Sequence, residues 1–378
     1  MRVAVVGGGP AGLYFAALWK SRHGRDEVRL FEQNPAGATF GFGVVFSDRA
    51  LEFLRADDPA TADLIEPAMQ SWRDITIVHR GEAVAIDGVG FSAIGRLALL
   101  ELLQQRAREA GVAVEFSTAI TAAEALRGFD LVVAADGVNS FLRGWREAAF
   151  GFTLAHLESK FAWYGTAKRF DTLTQTFIEN ELGTFNAHHY RYAPDMSTFI
   201  VECDPATWRR AGLDRASEEE SRQICEQVFA KALGGHALIS NRSIWRSFPW
   251  VANARWRDGN VVLIGDALHT AHYSIGSGTR LALEDALALV KALEASPGDL
   301  PAALAGYEAA RRPAVEALVA ASRRSADWYE RFPEHMRLEP LELAMSYIRR
   351  SGRVDEERLR ASAPRFMARY AAHRATRG

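Results

Sequence analysis

Gly7-Gly8-Gly9-Pro10-Ala11-Gly12 lies between a short apolar run, Val3 to Val6, and a run of helix formers that starts at Leu13. That order reads as strand, tight turn, helix. Gly7 permits the turn, Gly9 lets backbone approach a pyrophosphate, and Gly12 lets the helix pack closely on the strand. Free N–H groups at the helix start attract the anion. A second apolar run, Val28 to Phe31, ends in Glu32, twenty residues past Gly12. Its carboxylate is placed to accept hydrogen bonds from ribose hydroxyls, so the ligand read from this stretch is a dinucleotide. The fingerprint alone does not choose between FAD and NAD(P).

The remaining chain bounds the answer. Its 378 residues allow two or more domains, and 48% apolar with 24% charged residues is ordinary for a globular protein. A formal net charge of −2 gives no reason to expect nucleic acid or an anionic membrane as partner. Cys203 and Cys225 are too few for a disulfide scaffold and read as reduced packing residues, which suits a cytoplasmic location. The opening residues enter a strand with no leader pattern, and glycines and Pro10 interrupt the one apolar stretch near it, so neither signal peptide nor membrane span is expected.

Two more strand ends resemble the first in logic. Leu131 to Ala135 stops at Asp136-Gly137-Val138-Asn139-Ser140 with Arg143 close behind. Val261 to Ile264 stops at Gly265-Asp266-Ala267, followed by His269, Gly276 and Gly278 ahead of a helix. Ligands of open α/β sheets bind at such strand ends. Three of them converging on one extended ligand favours FAD, which has that reach. Ala36 to Asp48 reads as a loop entering a strand, able to run beneath a flat ring, and Asp48 to Arg55 as a short helix. Ile75 to Ile86 reads as a hairpin, and Gly95 to Glu109 as a helix opened by Arg96.

Between the second and third strand ends the composition changes. Thr174 to Ile178, Thr184 to Tyr192 and Ser197 to Cys203 read as strands of a separate sheet. Alternation puts His188, Tyr190 and Tyr192 on one face, with His189 and Arg191 on the other. From Leu300 onward the chain reads as arginine-rich helices.

On these motifs the chain resembles the single-component FAD-dependent aromatic hydroxylases, the p-hydroxybenzoate hydroxylase-like family. The resemblance implies an α/β fold: a Rossmann-like, glutathione reductase-type FAD-binding domain, an inserted mixed β-sheet substrate domain, and C-terminal helices. It divides the chain into FAD-binding parts 1–74, 91–155 and 255–298, a hairpin 75–90 on the substrate side, a substrate sheet 156–254 and a helical region 299–378. The implied FAD-binding residues are Gly7, Gly9, Pro10, Ala11, Gly12, Glu32, Val44, Val45, Arg96, Asp136, Gly137, Gly265, Asp266, Gly276, Gly278 and Thr279. NADH or NADPH is implied as a transient donor and O2 as co-substrate, with oxygen transfer through a flavin C4a-hydroperoxide.

Thr39 to Asp48, Met196 to Glu202 and His269 to Thr279 are similar to the branch acting on aryl-CoA thioesters, such as salicylyl-CoA 5-hydroxylation to gentisyl-CoA. A tryptophan-derivative hydroxylase of violacein-type pigment pathways shares several of these stretches, so a free aromatic or indole substrate is the alternative. A reductase or a non-oxygenating FAD-binding protein is the alternative of another class. At 378 residues a second flavin domain like that of anthraniloyl-CoA monooxygenase is not expected. Tyr273 stands where the wider family has proline, Gln33 where a basic residue is common, and Phe42 where the branch has tryptophan. His272, Tyr273 and His188, with His189, are the candidates for orienting substrate or moving its proton. No metal site is expected, because His269 and His272 lack a carboxylate or thiolate beside them in the loop.

Overall fold

The strand Arg2–Val6 pairs in parallel with Glu27–Phe31 on one side and Leu131–Ala134 on the other, and these three open the larger architecture. Val261–Leu263 adds in parallel beyond Leu131–Ala134, Ala113–Glu115 beyond Glu27–Phe31, and the short Arg257–Asp258 closes one edge antiparallel. Helices Pro10–Arg22, Arg96–Ala110 and Gly278–Ala295 pack with this six-stranded sheet. Leu131–Ala134 is buried at every residue, as a central parallel strand covered on both faces must be, which is why it reads as a continuous apolar run. The structure is a computed structural model and describes residues 1–47 and 50–376.

The second sheet has eight strands. In order they are Leu238–Ile239, Phe152–Thr166, Met196–Cys203, Gly183–Ala193, Leu173–Asn180, Ile75–His79 and Glu82–Ile86, with Arg246–Asn253 paired to Phe152–Thr166. The hairpin thus joins this sheet through a parallel pairing of Ile75–His79 with Leu173–Asn180. One face packs Tyr164, Phe185 and Phe199 against Phe229 and Leu233 of the segment that follows. The other face meets the loops 39–43 and 271–278 and the C-terminal helices, where Phe177 contacts Trp328 and Phe332. A small third sheet, Gly43–Ser47, Phe91–Gly95 and Gln70–Trp72, lies between the two.

Sequence reading missed Phe152–Thr166 and Arg246–Asn253. Much of the first is exposed on both faces at its start, so it lacks the alternation that marks a half-buried strand. The register shifts between His156 and Lys160, and the Glu330 carboxylate accepts from Glu158 N at 2.7 Å and Ser159 N at 2.9 Å across that bulge. The short helix read from Asp48 is observed as Glu52–Asp57; Asp48 and Arg49 lie outside the described residues. No described helix is long and apolar enough to cross a membrane.

Candidate active site

The three strand ends come together because their strands are neighbours in one sheet. At the first, Gly7 has φ +108°, and a Cβ there would lie 2.2 Å from Ala135 O. A Cβ on Gly12 would lie 2.1 Å from Gly7 O, so the helix rests directly on the turn. Gly9 faces open space, with nothing within 4 Å of such a Cβ. The helix Pro10–Arg22 has no side-chain cap and no acidic residue in its first turn, leaving its N–H groups for an anion. Glu32 is held from both sides: Oε2 accepts from Gly8 N at 2.6 Å, and Oε1 from the backbone and side-chain nitrogens of Asn34 at 2.7 Å each. Asn34 was not singled out in the sequence, although its place two residues after Glu32 lets it brace that carboxylate.

At the second strand end, Asp136 Oδ2 accepts from Leu142 N at 3.3 Å, while Oδ1 is buried with no hydrogen-bond partner among the described residues. Burial pushes the Asp136 carboxyl up. Gly137 has φ +76° and open space above it. Arg143 ties this segment to the third strand end by donating to Val138 O and, at 2.9 Å, to Ala267 O. Its guanidinium also stacks 4.0 Å from the Phe152 ring.

At the third, Asp266 opens onto the cleft while protein surrounds it on its other sides, so desolvation raises its carboxyl, opposed by Arg96 and His269. Arg96 opens the helix Arg96–Ala110; burial lowers its guanidinium, opposed by Asp266, and its Nε has no partner among the described residues. Gly265, at φ +60°, approaches Ala11, where a Cβ would sit 3.0 Å from the alanine Cβ. Gly276, at φ +58°, closes on Val45 with 3.3 Å to its Cγ1 and O, which places Val44 and Val45 under the loop that leads to Gly278 and Thr279. The helix Gly278–Ala295 again starts without a side-chain cap or an acid.

FAD fits this cleft on observations internal to the protein: two uncapped helix starts, open space over Gly9 and Gly137, and unpartnered buried atoms on Asp136 and Arg96. Bound there, FAD would be held as the resemblance implies: its pyrophosphate along the turn and helix start Gly7 to Gly12, its ribose at Glu32, and its middle between Asp136, Asp266 and Arg96.

Beside the loop 271–278 stands the candidate catalytic group. His272 is buried; its Nδ1 lies 2.8 Å from Ser274 Oγ, and its backbone N donates to Ser322 Oγ at 2.6 Å. Tyr273 packs against Phe161 at 5.0 Å and His188 at 5.4 Å between ring centroids. Burial drives His188 and His272 down to about 3, helped by Arg350 near both, so each is a neutral hydrogen-bonding group rather than a strong base. His189 is on the other face, where Nε2 meets Thr176 Oγ1 at 3.0 Å and the ring stacks on Phe199. Its place in that separate core removes it from the group.

The opposite wall comes from loop 39–43. A Cβ on Gly165 would lie 2.4 Å from the Phe42 ring, and one on Gly41 2.6 Å from Trp163, so this loop lies flat on the sheet. Tyr190 Oη donates to Gly43 O at 2.8 Å and Thr198 Oγ1 accepts from Gly43 N at 2.8 Å. Glu202, a lone acid in the apolar run Phe199 to Cys203, was not named as a site residue; a charge inside a buried strand was the available signal.

The fold and the cleft define an FAD-dependent oxygenase of aromatic compounds. The sequence pattern of the FAD binding domain matches residues 128–322. The chain is 41% identical over 361 residues to salicyloyl-CoA 5-hydroxylase of a Streptomyces species, covering 93% of this chain and 70% of that protein. It is 42% identical over 335 residues to 3-hydroxy-4-methyl-anthranilyl-[aryl-carrier protein] 5-monooxygenase of Streptosporangium sibiricum, covering 88% and 90%. A crystal structure of 2-methyl-3-hydroxypyridine-5-carboxylic acid oxygenase superposes with a TM-score of 0.72 at 18% identity over 96% of each chain. The chain belongs to the FAD-dependent aromatic hydroxylase family and is a flavin-dependent monooxygenase.

Proposed function

We propose that this enzyme hydroxylates salicylyl-CoA para to its ring hydroxyl, giving gentisyl-CoA, with O2 and with NADH or NADPH as a transient donor. The carrying observation is the cluster of aromatic side chains on the sheet face beside the cleft: Tyr273 packs on Phe161 and His188, and loop 39–43 lays Phe42 over Gly165 and Gly41 against Trp163. Its support outside the geometry is the 41% identity to a hydroxylase named for this thioester. The one dinucleotide fingerprint is taken by FAD, which suits a donor that visits and leaves, and a cytoplasmic location suits both donor and thioester.

Bound FAD supplies the activation of oxygen and its transfer. The chain's residues do the rest. The aromatic walls hold the ring flat and exclude water, which strengthens every polar contact inside. His188 and His272, neutral through burial, orient the substrate by hydrogen bonds. Tyr273 meets the substrate hydroxyl, whose electron donation activates the para carbon.

Anaerobic stopped-flow mixing with NADH tests the reading. Salicylyl-CoA is expected to accelerate flavin bleaching by orders of magnitude, and admission of air to yield gentisyl-CoA. Acceleration by free salicylate or an indole, with none from the thioester, moves the substrate to free aromatics. The carrier-protein monooxygenase, matched over 90% of its length, favours a second reading in which the acyl group rides on a carrier protein; the same acyl group on each carrier decides between them.

A further inference from the structure

Across the face of the eight-stranded sheet that meets the site, register aligns His188, Ile200 and Trp163 in one row, and Asn186, Glu202 and Phe161 in the next. The edge strand Arg246–Asn253 extends the second row by placing Arg246 directly opposite Phe161. Opposed residues share a face of the sheet. Phe248, two residues on and so on the same face, meets His272 at 4.9 Å and Tyr273 at 6.0 Å between ring centroids. Ser247 points the other way, where it accepts from Lys160 Nζ at 2.6 Å. Arg246 is exposed and thus carries its charge at the open edge of the site face, one strand from Phe161.

The loop ahead of that strand adds a second cation. Arg242 has φ +54° and lies 4.6 Å from the centre of the Phe40 ring. A left-handed arginine is a strained position that its surroundings must enforce. Here the flanking residues do so: Asn241 Nδ2 donates to Thr39 O at 3.2 Å and Gly41 O at 3.1 Å, Ser243 Oγ donates to Trp163 O, and Ser243 N donates to Glu218 Oε1 at 2.9 Å. The same contacts tie the loop to the wall made by loop 39–43 and Trp163. Arg246 Nη2 reaches back to Arg242 O at 3.3 Å, which brings both arginines to one corner. Among the described residues neither guanidinium pairs with a carboxylate. Phe40 is 40% and Ile244 57% exposed beside them. Two neighbouring cations without a counter-charge favour an anion between them, and guanidinium forks suit phosphate oxygens. The exposed Phe40 ring offers a flat base a stacking surface. Protein partners need roughly 20 to 30 residues a side, so this handful of side chains fits a coenzyme tail better than a carrier protein.

We propose that Arg242 and Arg246, with Phe40, bind the phosphate-bearing tail of a coenzyme A thioester whose acyl ring lies beside Phe161 and Tyr273. The tail leaves the site over the edge strand Arg246–Asn253, and the two arginines meet its phosphates there. These residues then set the preference for the thioester over a free aromatic acid. The inference rests on the thioester substrate proposed above.

The test compares two probes by titration calorimetry on oxidised, FAD-loaded enzyme: salicylyl-CoA, and salicylyl-pantetheine, which keeps the thioester but lacks every phosphate. The wild type is expected to bind salicylyl-CoA about tenfold more tightly or better, with a preference that shrinks as salt is raised. Arg242→Gln and Arg246→Gln are each expected to weaken salicylyl-CoA about tenfold and to hold salicylyl-pantetheine as the wild type does, a split that a merely structural loss would not produce. Phe40→Ala is expected to weaken salicylyl-CoA about threefold. Equal wild-type affinity for the two probes, unchanged affinity for salicylyl-CoA in both arginine variants, or an equal loss of both probes overturns the phosphate subsite; should Arg242→Gln not fold, Arg246→Gln alone decides. Each of those results leaves the substrate reading standing as long as either thioester is bound and hydroxylated. Binding of neither thioester overturns that reading instead, and the subsite falls with it. A salicylyl-loaded carrier protein that binds more tightly than salicylyl-CoA, and loses affinity in the arginine variants, gives the patch to a protein and overturns the coenzyme assignment.

Discussion

His269 Nε2 lies 2.8 Å from Asp285 Oδ2, an oxygen that also accepts from Gly265 N at 3.1 Å. The other carboxylate oxygen accepts from Arg311 Nε at 2.8 Å. One fully buried acid on the helix Gly278–Ala295 thereby sets the loop that carries Asp266 into the cleft. Removing one partner of such a buried cluster leaves the others uncompensated.

Asp285→Asn is accordingly expected to cost about 3 to 5 kcal/mol of stability and to loosen FAD. Denaturant unfolding of the apoprotein and flavin retention on gel filtration read the two effects. Although burial raises the Asp285 carboxyl, His269 and Arg311 bring it below the usual range. Its folded value is thus lower than its unfolded one, so its stabilisation is present above the ordinary carboxylate range and lost as pH falls below it. The gap in stability between wild type and Asp285→Asn is expected to close as pH is lowered through that window.

Glu202 behaves with the opposite sign. Its folded value of about 8 exceeds the unfolded carboxylate value, so its favourable contribution is complete at low pH and is lost as pH rises towards about 8. Glu202→Gln, which stays neutral, is expected to gain on the wild type over that interval by a few kcal/mol, on the order of 1.4 kcal/mol for each tenfold difference in proton affinity between folded and unfolded chain. Urea unfolding of both proteins at acid and alkaline pH checks it without substrate. Parallel stability curves would refute the raised acid.

His188 and His272, held neutral by burial, are expected to show no titration between about pH 5 and 8, in contrast to an ordinary histidine. NMR of the imidazole resonances reads this directly. The pH profile of hydroxylation is expected to lack a break from either one in the same interval.

Gly165→Ala puts a methyl group 2.4 Å from the Phe42 ring. Loop 39–43 has to lift from the sheet, at a cost of about 1 to 3 kcal/mol. The expected signature is hydrogen peroxide released in place of product, because the wall that dries the pocket is displaced, while FAD remains bound by the distant strand ends.

Arg143→Lys keeps the charge but loses the two-carbonyl bridge from Val138 to Ala267 and the stacking on Phe152. A loss of about 1.5 to 3 kcal/mol is expected, together with weaker FAD affinity, measurable by thermal unfolding and by flavin titration.

The FAD cleft was legible in the sequence because its parts are local. A strand, a glycine turn and a helix start lie within a dozen residues at Gly7 to Gly12, and the same grammar recurs at Asp136-Gly137 and at Gly265 to Gly278. Backbone conformation and free N–H groups make up the motif there, and both follow from nearest neighbours in the chain. The rows on the sheet face are a different matter. His188, Glu202, Phe161 and Tyr273 are drawn from three strands and a loop, and only strand register sets which of them touch. Sequence placed His188 on one face and His189 on the other by alternation, but it did not say which face met the flavin. Packing of the loop 271–278 on the His188 face decided that, and burial there favours neutral histidines and raises the Glu202 carboxyl. The chain alone specified the three strand–turn units and the helix starts beside them, since short-range backbone geometry suffices for these. The tertiary structure alone decided the pocket's proton chemistry, since desolvation depends on everything packed around a group.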